Sequence, residues 1–441
     1  MSLKGKLLIV ALSAAIAFYA VVGGFLSVHK DVFAKGDPYV QMRIFSEVLR
    51  HIVRDYVDEP DLEKVKIGAL RGLADGLDPY SAYLSPEQVK KFNSPRTDLA
   101  GAGMIISKVS GYIYVVSALK GSPAEQAGLR AGDFIEYIDT LPTRDITLYD
   151  AEELLSGQAA SELELKVFRR GRAYKTKIKR AVVNQPAIES NILESGIAYL
   201  KVTSLADGKA AEIKKQLAEL QSKGMQKLVL DLRGAANGSI ETGVEVANLF
   251  VKSGTLAKVI GHKNAVEKTF EADASKAIFN GQIALVVDRS TANAGEVIAG
   301  AILGNKRGEL VGEKTFGAGS TQKLFELKNG SAMLLTISRY ADPSGVAFLK
   351  ESPGIIPTVE AKAVVAEEIL PEDNEAEEDD QAKVESPQLP IEKPTADDVQ
   401  LKKALEVLKS NGQTTTAKDE KAVKPSETPV HHKSASAGSS L

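Results

Sequence analysis

The chain has 441 residues, enough for two or three domains, a formal net charge of −3 and no cysteine. The near-neutral charge, without a sustained basic patch, argues against nucleic-acid binding, and the lack of cysteine excludes disulfides and thiolate chemistry. The five histidines have no metal-ligand spacing, so we expect neither a metal site nor another cofactor.

Residues 1–30 are predicted to form a signal anchor. Lys4 and Lys6 precede a run of 22 uncharged residues, Leu7 to Val28. A signal-peptide core is usually about 7–15 residues long, whereas about 20 residues span a bilayer. The lysines favour a cytoplasmic amino terminus, so the rest of the chain is expected on the extracytoplasmic or periplasmic side of a membrane. A long, cleaved signal peptide stays open as the alternative.

Residues 38–96 are predicted to be an N-terminal helical segment. Val40 to Val57 and Leu62 to Leu77 carry apolar residues at helical spacing, and Asp78-Pro79 ends the second pattern. The stretch from Gly72 to Phe92 reads GLADGLDPYSAYLSPEQVKKF and offers no candidate for chemistry in itself.

Residues 97–184 contain the loop Gly101-Ala102-Gly103-Met104, followed by Lys120-Gly121-Ser122-Pro123-Ala124 and Gly132-Asp133. This string resembles a PDZ domain, in which backbone N–H groups of such a loop bind a peptide's terminal carboxylate. The glycines would let the backbone approach the ligand without a Cβ in the way. A bound peptide would extend the strand that begins at Met104. The resemblance makes polypeptide C-termini the expected partner.

Residues 185–358 alternate strand and helix patterns. Ile197 to Val202 is predicted to be a strand, Gly208 to Gly224 a helix and Lys227 to Asp231 a buried strand. A second unit follows: a strand from Ile283 to Val287, a helix from about Ala294 to Leu303 and a strand from Glu309 to Val311. This alternation predicts a layered α/β core with helices on the sheet.

Two turns of this core contain distinctive sequence motifs. One reads Gly312-Glu313-Lys314-Thr315-Phe316-Gly317-Ala318-Gly319-Ser320-Thr321-Gln322, and the other reads Asp231-Leu232-Arg233-Gly234-Ala235-Ala236-Asn237-Gly238. They resemble the motifs G-E-K-T-F-G-K-G-S-V-Q and D-L-R-G-N-P-G-G of the carboxyl-terminal processing peptidases, also called tail-specific proteases. The resemblance, which extends over about residues 40–357, implies an α/β multidomain fold: N-terminal helices, a PDZ domain and a ClpP/crotonase-like peptidase core.

In that family a serine and a lysine carry catalysis, one of the variants of the serine triad. The resemblance places the serine's position at Asn293, the lysine's at Ala318 and the third active-site residue at Gln322. An amide is not a nucleophile for acyl transfer, and a methyl group cannot take a proton. We therefore expect a pseudopeptidase that binds polypeptide C-termini without cleaving them.

The remaining departures concern the turns. The resemblance places the oxyanion turn at Asn237, Gly238 and Ala294, and Asn237 is expected to suit a left-handed backbone. Asn293 is expected to cap the following helix in a capping box with Glu296. The sequence Leu155-Ser156-Gly157 departs from the family's Leu-Arg-Gly, which puts coupling between the PDZ domain and the active site in doubt.

Two other functions stay open. A working serine-type endopeptidase could use relocated groups from among Ser290, Thr291, Ser320 and Lys314, although Lys314 lies about 13 Å from position 318 if the chain is extended at about 3.3 Å per residue. An apolar small-molecule carrier is the weaker alternative, because the core fold is also used for retinoid binding in eye proteins. A homo-oligomer and an active paralogue remain open as partners.

The end of the chain is predicted to contain little folded structure. Residues 359–395 form an acidic, proline-containing linker, 396–411 carry one more helical pattern, and 412–441 form a polar, disordered tail.

Overall fold

The computed structural model describes residues 38–94, 100–193, 196–349, 354–363 and 398–410. The chain divides into two compact units between Gly76 and Leu77, and each is described by itself. The predicted anchor at 1–30, most of the linker at 359–395 and the tail at 412–441 lie outside the described residues. No helix within the described ranges is long and apolar enough to cross a membrane.

The first unit contains the two helices that the apolar spacing predicted. They are α1, Pro38–Asp55, and α2, Leu62–Asp75. The second begins where Asp61 accepts hydrogen bonds from the backbone N–H groups of Glu63 and Lys64, which satisfies donors that a helix start leaves unpaired.

The second unit contains the PDZ-like and α/β parts. Its α-helices are α3 (Pro86–Asn93), α4 (Pro123–Gln126), α5 (Leu148–Leu155), α6 (Lys209–Ser222), α7 (Ile240–Asn248), α8 (Ala294–Gly304) and α9 (Val399–Lys409). Its strands are β1 (Ala82–Leu84), β2 (Ala100–Gly101), β3 (Met104–Val109), β4 (Tyr112–Ala118), β5 (Phe134–Ile138), β6 (Leu141–Pro142), β7 (Ser156–Gly157), β8 (Glu162–Arg169), β9 (Arg172–Lys179), β10 (Glu189–Ile192), β11 (Ile197–Lys201), β12 (Lys227–Asp231), β13 (Thr255–Ile260), β14 (Val266–Glu271), β15 (Gln282–Val287), β16 (Glu309–Gly312), β17 (Ser320–Glu326), β18 (Ala332–Ala341) and β19 (Val359–Glu360).

The PDZ-like part is an antiparallel sheet in the order β3-β4-β5-β8-β9, with β6 paired to β5. Its core is formed by inward-facing residues such as Ile113, Val115 and Leu165, which are fully buried and pack in one cluster with Leu155 of α5. The strand β3 lies at the edge of this sheet. An edge strand leaves backbone groups that another chain can pair with.

The α/β part is built on a sheet in the order β10-β11-β12-β15-β16-β19, in which β11 to β19 run parallel. Side chains alternate between its two faces, so Leu228 and Leu230 of β12 pack with helices α6, α7 and α8. Val229 points the other way, where Leu408 of α9 covers it. The layered α/β core that the sequence predicted is confirmed.

A second sheet in this part joins distant stretches of sequence. Its long strand β18 pairs with β17, β1 and β13, and β14 pairs with β13. The short strand β1 therefore brings the preceding stretch Asp78-Pro79-Tyr80-Ser81 to the strands that follow the glycine-rich turn.

Candidate active site

The family's active-site positions meet at one edge of the parallel sheet. Strands β12, β15 and β16 are neighbours and run in the same direction, so their carboxyl ends lie side by side. The turns that leave these ends are residues 232–238, 288–293 and 313–319. Crevices outside the carboxyl ends of parallel strands are the usual place for sites in such sheets.

Asn293 occupies the sharp turn between β15 and α8. Its backbone has φ 46° and ψ −117°, a strained conformation for a residue with a side chain. The side-chain Nδ2 donates a hydrogen bond of 2.7 Å to the carbonyl oxygen of Ala236. The amide therefore ties this turn to the neighbouring turn at residues 232–238.

The expected capping box is wrong. The side chain of Asn293 makes no capping bond to the start of α8, and Glu296 turns to a different partner. Its buried carboxylate accepts bonds from Thr315 Oγ1 at 2.5 Å, from Gly317 N at 2.8 Å and from Ala318 N at 2.8 Å. Burial raises the pKa of Glu296 to about 7, although these three bonds favour the charged form. Glu296 thus holds the glycine-rich turn.

Two of the expected oxyanion residues lie together. A Cβ placed on Gly238, which has φ +93°, would lie 3.0 Å from Cβ of Ala294 and 2.3 Å from the carbonyl oxygen of Leu205. A side chain at position 238 is therefore excluded by space as well as by backbone conformation. The turn keeps its close approach to the start of α8.

The backbone of Asn237 does not have a positive φ. The expectation that asparagine is present here because it tolerates a left-handed backbone is therefore wrong. Its side chain accepts a hydrogen bond from Leu205 N at 2.7 Å and donates one to Ser204 Oγ at 2.9 Å. The asparagine fastens the turn to the loop that follows β11. This role depends on its side chain and not on its backbone conformation.

The lysine position, Ala318, lies in an apolar cluster. Its side chain is 3% exposed and packs with Ala236, Ala292 and Val116, the last from strand β4 of the PDZ-like part. Tyr80, Ile105, Tyr114 and Phe316 surround this cluster. The side chains of this cluster suit a methyl group, whereas an ammonium ion is costly to bury unless it reaches a partner.

Gln322 lies on β17 in a network of polar side chains. Its Nε2 donates to Ser320 Oγ at 2.8 Å and to Thr336 Oγ1 at 3.2 Å. Thr336 Oγ1 in turn donates to Asp78 at 2.9 Å, and Asp78 also accepts from the hydroxyl of Ser81. The sequence analysis assigned no functional residue to this stretch. The motif Asp-Pro-Tyr-Ser, residues 78–81, was the feature that could have indicated one.

The remaining hydroxyls near the site are bound to structural partners. Ser290 Oγ donates to Asp288 at 2.5 Å and accepts from Gly234 N at 2.7 Å. Thr291 is fully buried, and its Oγ1 donates to the carbonyl oxygen of Leu232 at 3.0 Å. Burial raises the pKa of Asp288. The side chain of Lys314 is exposed, whereas Ala318 is buried.

Arg233 connects the first turn to the C-terminal helix α9. Its guanidinium donates to Asp231, to both carboxylate oxygens of Asp398 and to Gln400 Oε1. Asp231 is fully buried and accepts a further bond of 2.7 Å from the hydroxyl of Tyr199. Burial disfavours a charged guanidinium, but the bonds to the two carboxylates outweigh it and raise the pKa of Arg233.

In the predicted carboxylate-binding loop of the PDZ-like part, two backbone N–H groups already donate to carbonyl oxygens of the same chain. Gly101 N donates to the carbonyl oxygen of Ala181 at 2.9 Å, and Ala102 N donates to that of Leu155 at 3.1 Å. These two N–H groups are therefore not available to a ligand, contrary to expectation. Gly103 and Met104 remain as candidates.

Gly103 is needed for close packing against neighbouring residues, in addition to the expected approach of a ligand to the backbone. A Cβ at this position, where φ is +74°, would lie 2.4 Å from Cβ of Ser122 and 2.9 Å from Cγ2 of Val183. The missing side chain makes room for neighbouring protein atoms and not only for a ligand.

Strand β4 of the PDZ-like part packs directly on the turns of the core. Ser117 Oγ donates to the carbonyl oxygen of Gly234 at 3.1 Å. The rings of Tyr114 and Phe316 stack with centroids 5.6 Å apart. The two parts therefore meet at the family's active-site positions.

Comparisons with known proteins agree with this architecture. A family model described as peptidase family S41 matches residues 196–361, and a PDZ domain model matches residues 114–169. The chain is similar to the carboxy-terminal processing protease CtpA of Bacillus subtilis (strain 168), with 30% identity over 320 residues, 72% of this chain and 68% of that protein. It is also similar to a carboxyl-terminal-processing protease of Picosynechococcus sp., with 32% identity over 335 residues, 71% of this chain and 79% of that protein.

Among solved structures, the chain is similar to a photosystem II D1 C-terminal processing protease. The TM-score is 0.61 at 27% sequence identity, and the match covers 73% of this chain and 92% of that one. The extent of these matches, together with the PDZ domain and the layered core, shows that the chain belongs to peptidase family S41, with the carboxy-terminal processing proteases.

Proposed function

We propose that this chain is a pseudopeptidase of the family: it binds polypeptide C-termini through its PDZ domain and does not cleave them. We further propose that residues 1–30 anchor it in a membrane with the remainder on the extracytoplasmic side. Recovery of a mature soluble protein that begins near Lys30 would contradict the anchor.

The proposal rests chiefly on the hydrogen bond from Asn293 Nδ2 to the carbonyl oxygen of Ala236. The residue at the nucleophile's position serves as a structural link between two turns, and an amide nitrogen that donates in this way offers no lone pair for attack on a carbonyl. The side chain of Ala318 supports the same proposal, because a methyl group cannot accept a proton and the side chains that pack on it are mainly apolar.

Activity is tested with the full-length chain and an unstructured peptide that has an apolar C-terminus, with products identified by mass spectrometry. An active carboxy-terminal processing protease serves as the positive control. We expect no cleavage products from this chain. Turnover that disappears in Ser290→Ala or Thr291→Ala, but persists in the exposed control Ser344→Ala, would contradict the proposal.

That outcome would favour the second candidate, an endopeptidase with relocated groups. The observation in its favour is the 2.5 Å bond between Ser290 Oγ and Asp288, whose pKa is raised by burial. Against it, Ser290 N also donates to the same carboxylate at 2.8 Å, so the pair closes a local turn of a common kind.

Binding is tested separately, with one apolar-ended peptide in free-acid and amidated forms titrated against the full-length chain. We expect micromolar affinity for the free acid, about −8 kcal/mol at 1 μM, as for a short strand added to a sheet edge. Amidation removes the charge that backbone N–H groups would receive, so affinity falls. Equal affinities, or no binding of either form, would mean that the loop does not recognise C-termini.

A further inference from the structure

A bound polypeptide C-terminus would enter the space between the edge strand β3 and helix α5, which we call the PDZ groove. These two elements are its walls, since Ile106 of β3 packs in one cluster with Leu148 and Leu155 of α5. Lys108 Nζ, also on β3, donates to the carbonyl oxygen of Ile146 at 2.8 Å, just before α5 begins. A peptide that extends β3 would therefore have α5 as its other neighbour.

Strand β3 is covered, although it lies at the edge of its sheet. Every residue of β3 is buried or half-buried, and Ser107 in its middle is 2% exposed. Strand β14, at the edge of the other antiparallel sheet, shows the opposite pattern, with five of its six residues exposed. An open strand edge is expected to be accessible to solvent. Part of this chain therefore already lies against β3.

Tyr80, which precedes β1, is one residue that lies there. Its hydroxyl and Ser107 Oγ of β3 form a hydrogen bond of 3.2 Å. Its ring packs on the core cluster of the PDZ-like part and also on the cluster that contains Ala318. Burial raises the pKa of Tyr80 to about 12, and the negative charge of Glu152 on α5 contributes to this rise. The side chain thus contacts β3 and lies close enough to α5 to be affected by its charge.

Helix α3, which follows β1, binds the second wall of the PDZ groove. Gln88 Nε2 donates to Asp150 Oδ1 of α5 at 2.6 Å. Lys91 Nζ forms an ion pair of 2.5 Å with Glu153 of the same helix. One continuous stretch, residues 80–93, is therefore bonded both to the strand and to the helix between which a peptide would bind.

We propose that Tyr80 and α3 form a built-in cover of the PDZ groove, and that a polypeptide C-terminus binds when this cover shifts. The inference rests on the proposed function, because it concerns the regulation of the same site. The cost of the shift weakens binding, since the apparent Kd is the intrinsic Kd divided by the fraction of chains with an open groove. Asp78 and Ser81 on either side stay bonded to Thr336, so the ring of Tyr80 can turn away from a fixed backbone.

The first test measures affinity with the full-length chain and a fluorescein-labelled hexapeptide that ends in valine-alanine-alanine, in free-acid and amidated forms. Tyr80→Ala removes the ring and should tighten binding of the free acid about tenfold or more, as measured by fluorescence anisotropy. Tyr80→Phe keeps the ring and loses only the bond to Ser107, so its gain should be smaller. Tyr137→Ala is the matched control, because Tyr137 is 38% exposed on β5 of the same sheet, and its removal should leave the affinity unchanged.

Helix α3 gives a second test that leaves Tyr80 in place. Lys91→Ala breaks the ion pair with Glu153 and should tighten binding of the free acid about twofold to fivefold. Lys90→Ala removes an exposed lysine from the same helix and should have no effect. In the unaltered chain, hydrogen exchange of residues 86–93 should accelerate about tenfold when the free acid is bound, because α3 leaves α5. The amidated peptide should not cause this change.

The outcomes distinguish the cover from the site that it closes. Binding of the free acid by Tyr80→Ala alone, or more tightly than by the unaltered chain, supports the cover. If both bind it equally and the exchange of α3 stays the same, the cover is overturned and recognition of C-termini stands. Absence of binding in every variant overturns that recognition and the cover with it. Should Tyr80→Ala fail to fold, the exchange of α3 in the unaltered chain decides.

Discussion

The buried carboxylate of Glu296 accepts a hydrogen bond of 2.8 Å from the backbone N–H of Ala318. The helix that follows the nucleophile's position therefore holds the turn that carries the lysine's position. This bond uses only main-chain atoms of residue 318, so it does not require the lysine side chain. The frame of the site can persist without the groups that would perform catalysis.

Glu296 should make stability depend on pH. Its pKa in the folded chain is about 7 and its ordinary value is 4.5, so the folded state retains a proton that the unfolded state has lost. This contribution is fully present below pH 4.5 and is lost as the pH rises through 7, with a total of about 3 kcal/mol. Glu296→Gln does not titrate and matches the protonated side chain, so unfolding measured from pH 5 to pH 8 should show the unaltered chain losing stability relative to this variant as the pH rises. Parallel curves would contradict this.

Ala318→Lys should destabilise the chain by about 2–4 kcal/mol at pH 7, because an ammonium ion would enter an apolar cluster. Burial lowers the pKa of a lysine, so the penalty should shrink as the pH rises towards 10. Ala318→Met is the control for added volume and should show no such pH dependence. Denaturant unfolding measures both. Equal stability of the two variants at pH 7 would mean that the lysine reaches a partner, of which Glu296 is the nearest candidate.

Restoring both positions, as Asn293→Ser with Ala318→Lys, should recover weak peptide cleavage at best. The substitution at position 293 also removes the bond to Ala236, which ties two turns of the site together. Loss of alignment at one oxyanion donor typically lowers the rate about 10²–10³-fold. Mass spectrometry of peptide products gives the result. Turnover equal to that of an active family member would show that the turn at residues 232–238 needs no such tie.

Asn237→Gly and Asn237→Ala should destabilise the chain by similar amounts, about 1–2 kcal/mol each, because both remove the hydrogen bonds to Leu205 and Ser204. Asn237→Asp keeps the acceptor for Leu205 N and should cost less. Thermal or denaturant unfolding provides the comparison. If glycine were tolerated and alanine were not, the backbone conformation would be the reason for the asparagine after all.

Asp398→Ala should loosen helix α9, because it removes the carboxylate that Arg233 binds through two nitrogens. Hydrogen exchange of residues 399–409 should accelerate about tenfold or more. Lys403→Ala, which breaks an exposed ion pair with Glu406, should leave exchange unchanged. The bond to Arg233 lowers the pKa of Asp398 in spite of burial, so its stabilisation holds above pH 3.8 and is lost in stronger acid. Equal exchange in the two variants would contradict this role.

The alternation of strand and helix was readable from sequence because periodicity reports burial directly. Lys227 to Asp231 was predicted as a strand and is one, since its apolar residues face helices on both sides. Motif resemblance likewise placed Gly238 and Ala294, which the structure brings together.

The partners of the polar side chains were not readable, because they come from distant sequence. Glu296 lies 19 residues from Thr315, and the capping box was the only partner that local spacing could suggest. Asn237 was assigned a backbone role because propensity describes single residues, whereas its bonds reach 32 and 33 residues back. Asp78 and Thr336 are 258 residues apart. Local sequence patterns cannot predict such contacts, because only the folded chain brings the two residues together.

The position of α9 in the chain has a consequence for biosynthesis. Chains are made from the amino end, and one face of the parallel sheet, including Val229, Val286 and Val311, is covered by Leu408 and its neighbours. That face cannot receive its own helix until residues 399–409 have been synthesised. A ribosome that stalls before residue 398 leaves an exposed apolar surface on an otherwise complete sheet, and such a surface favours aggregation.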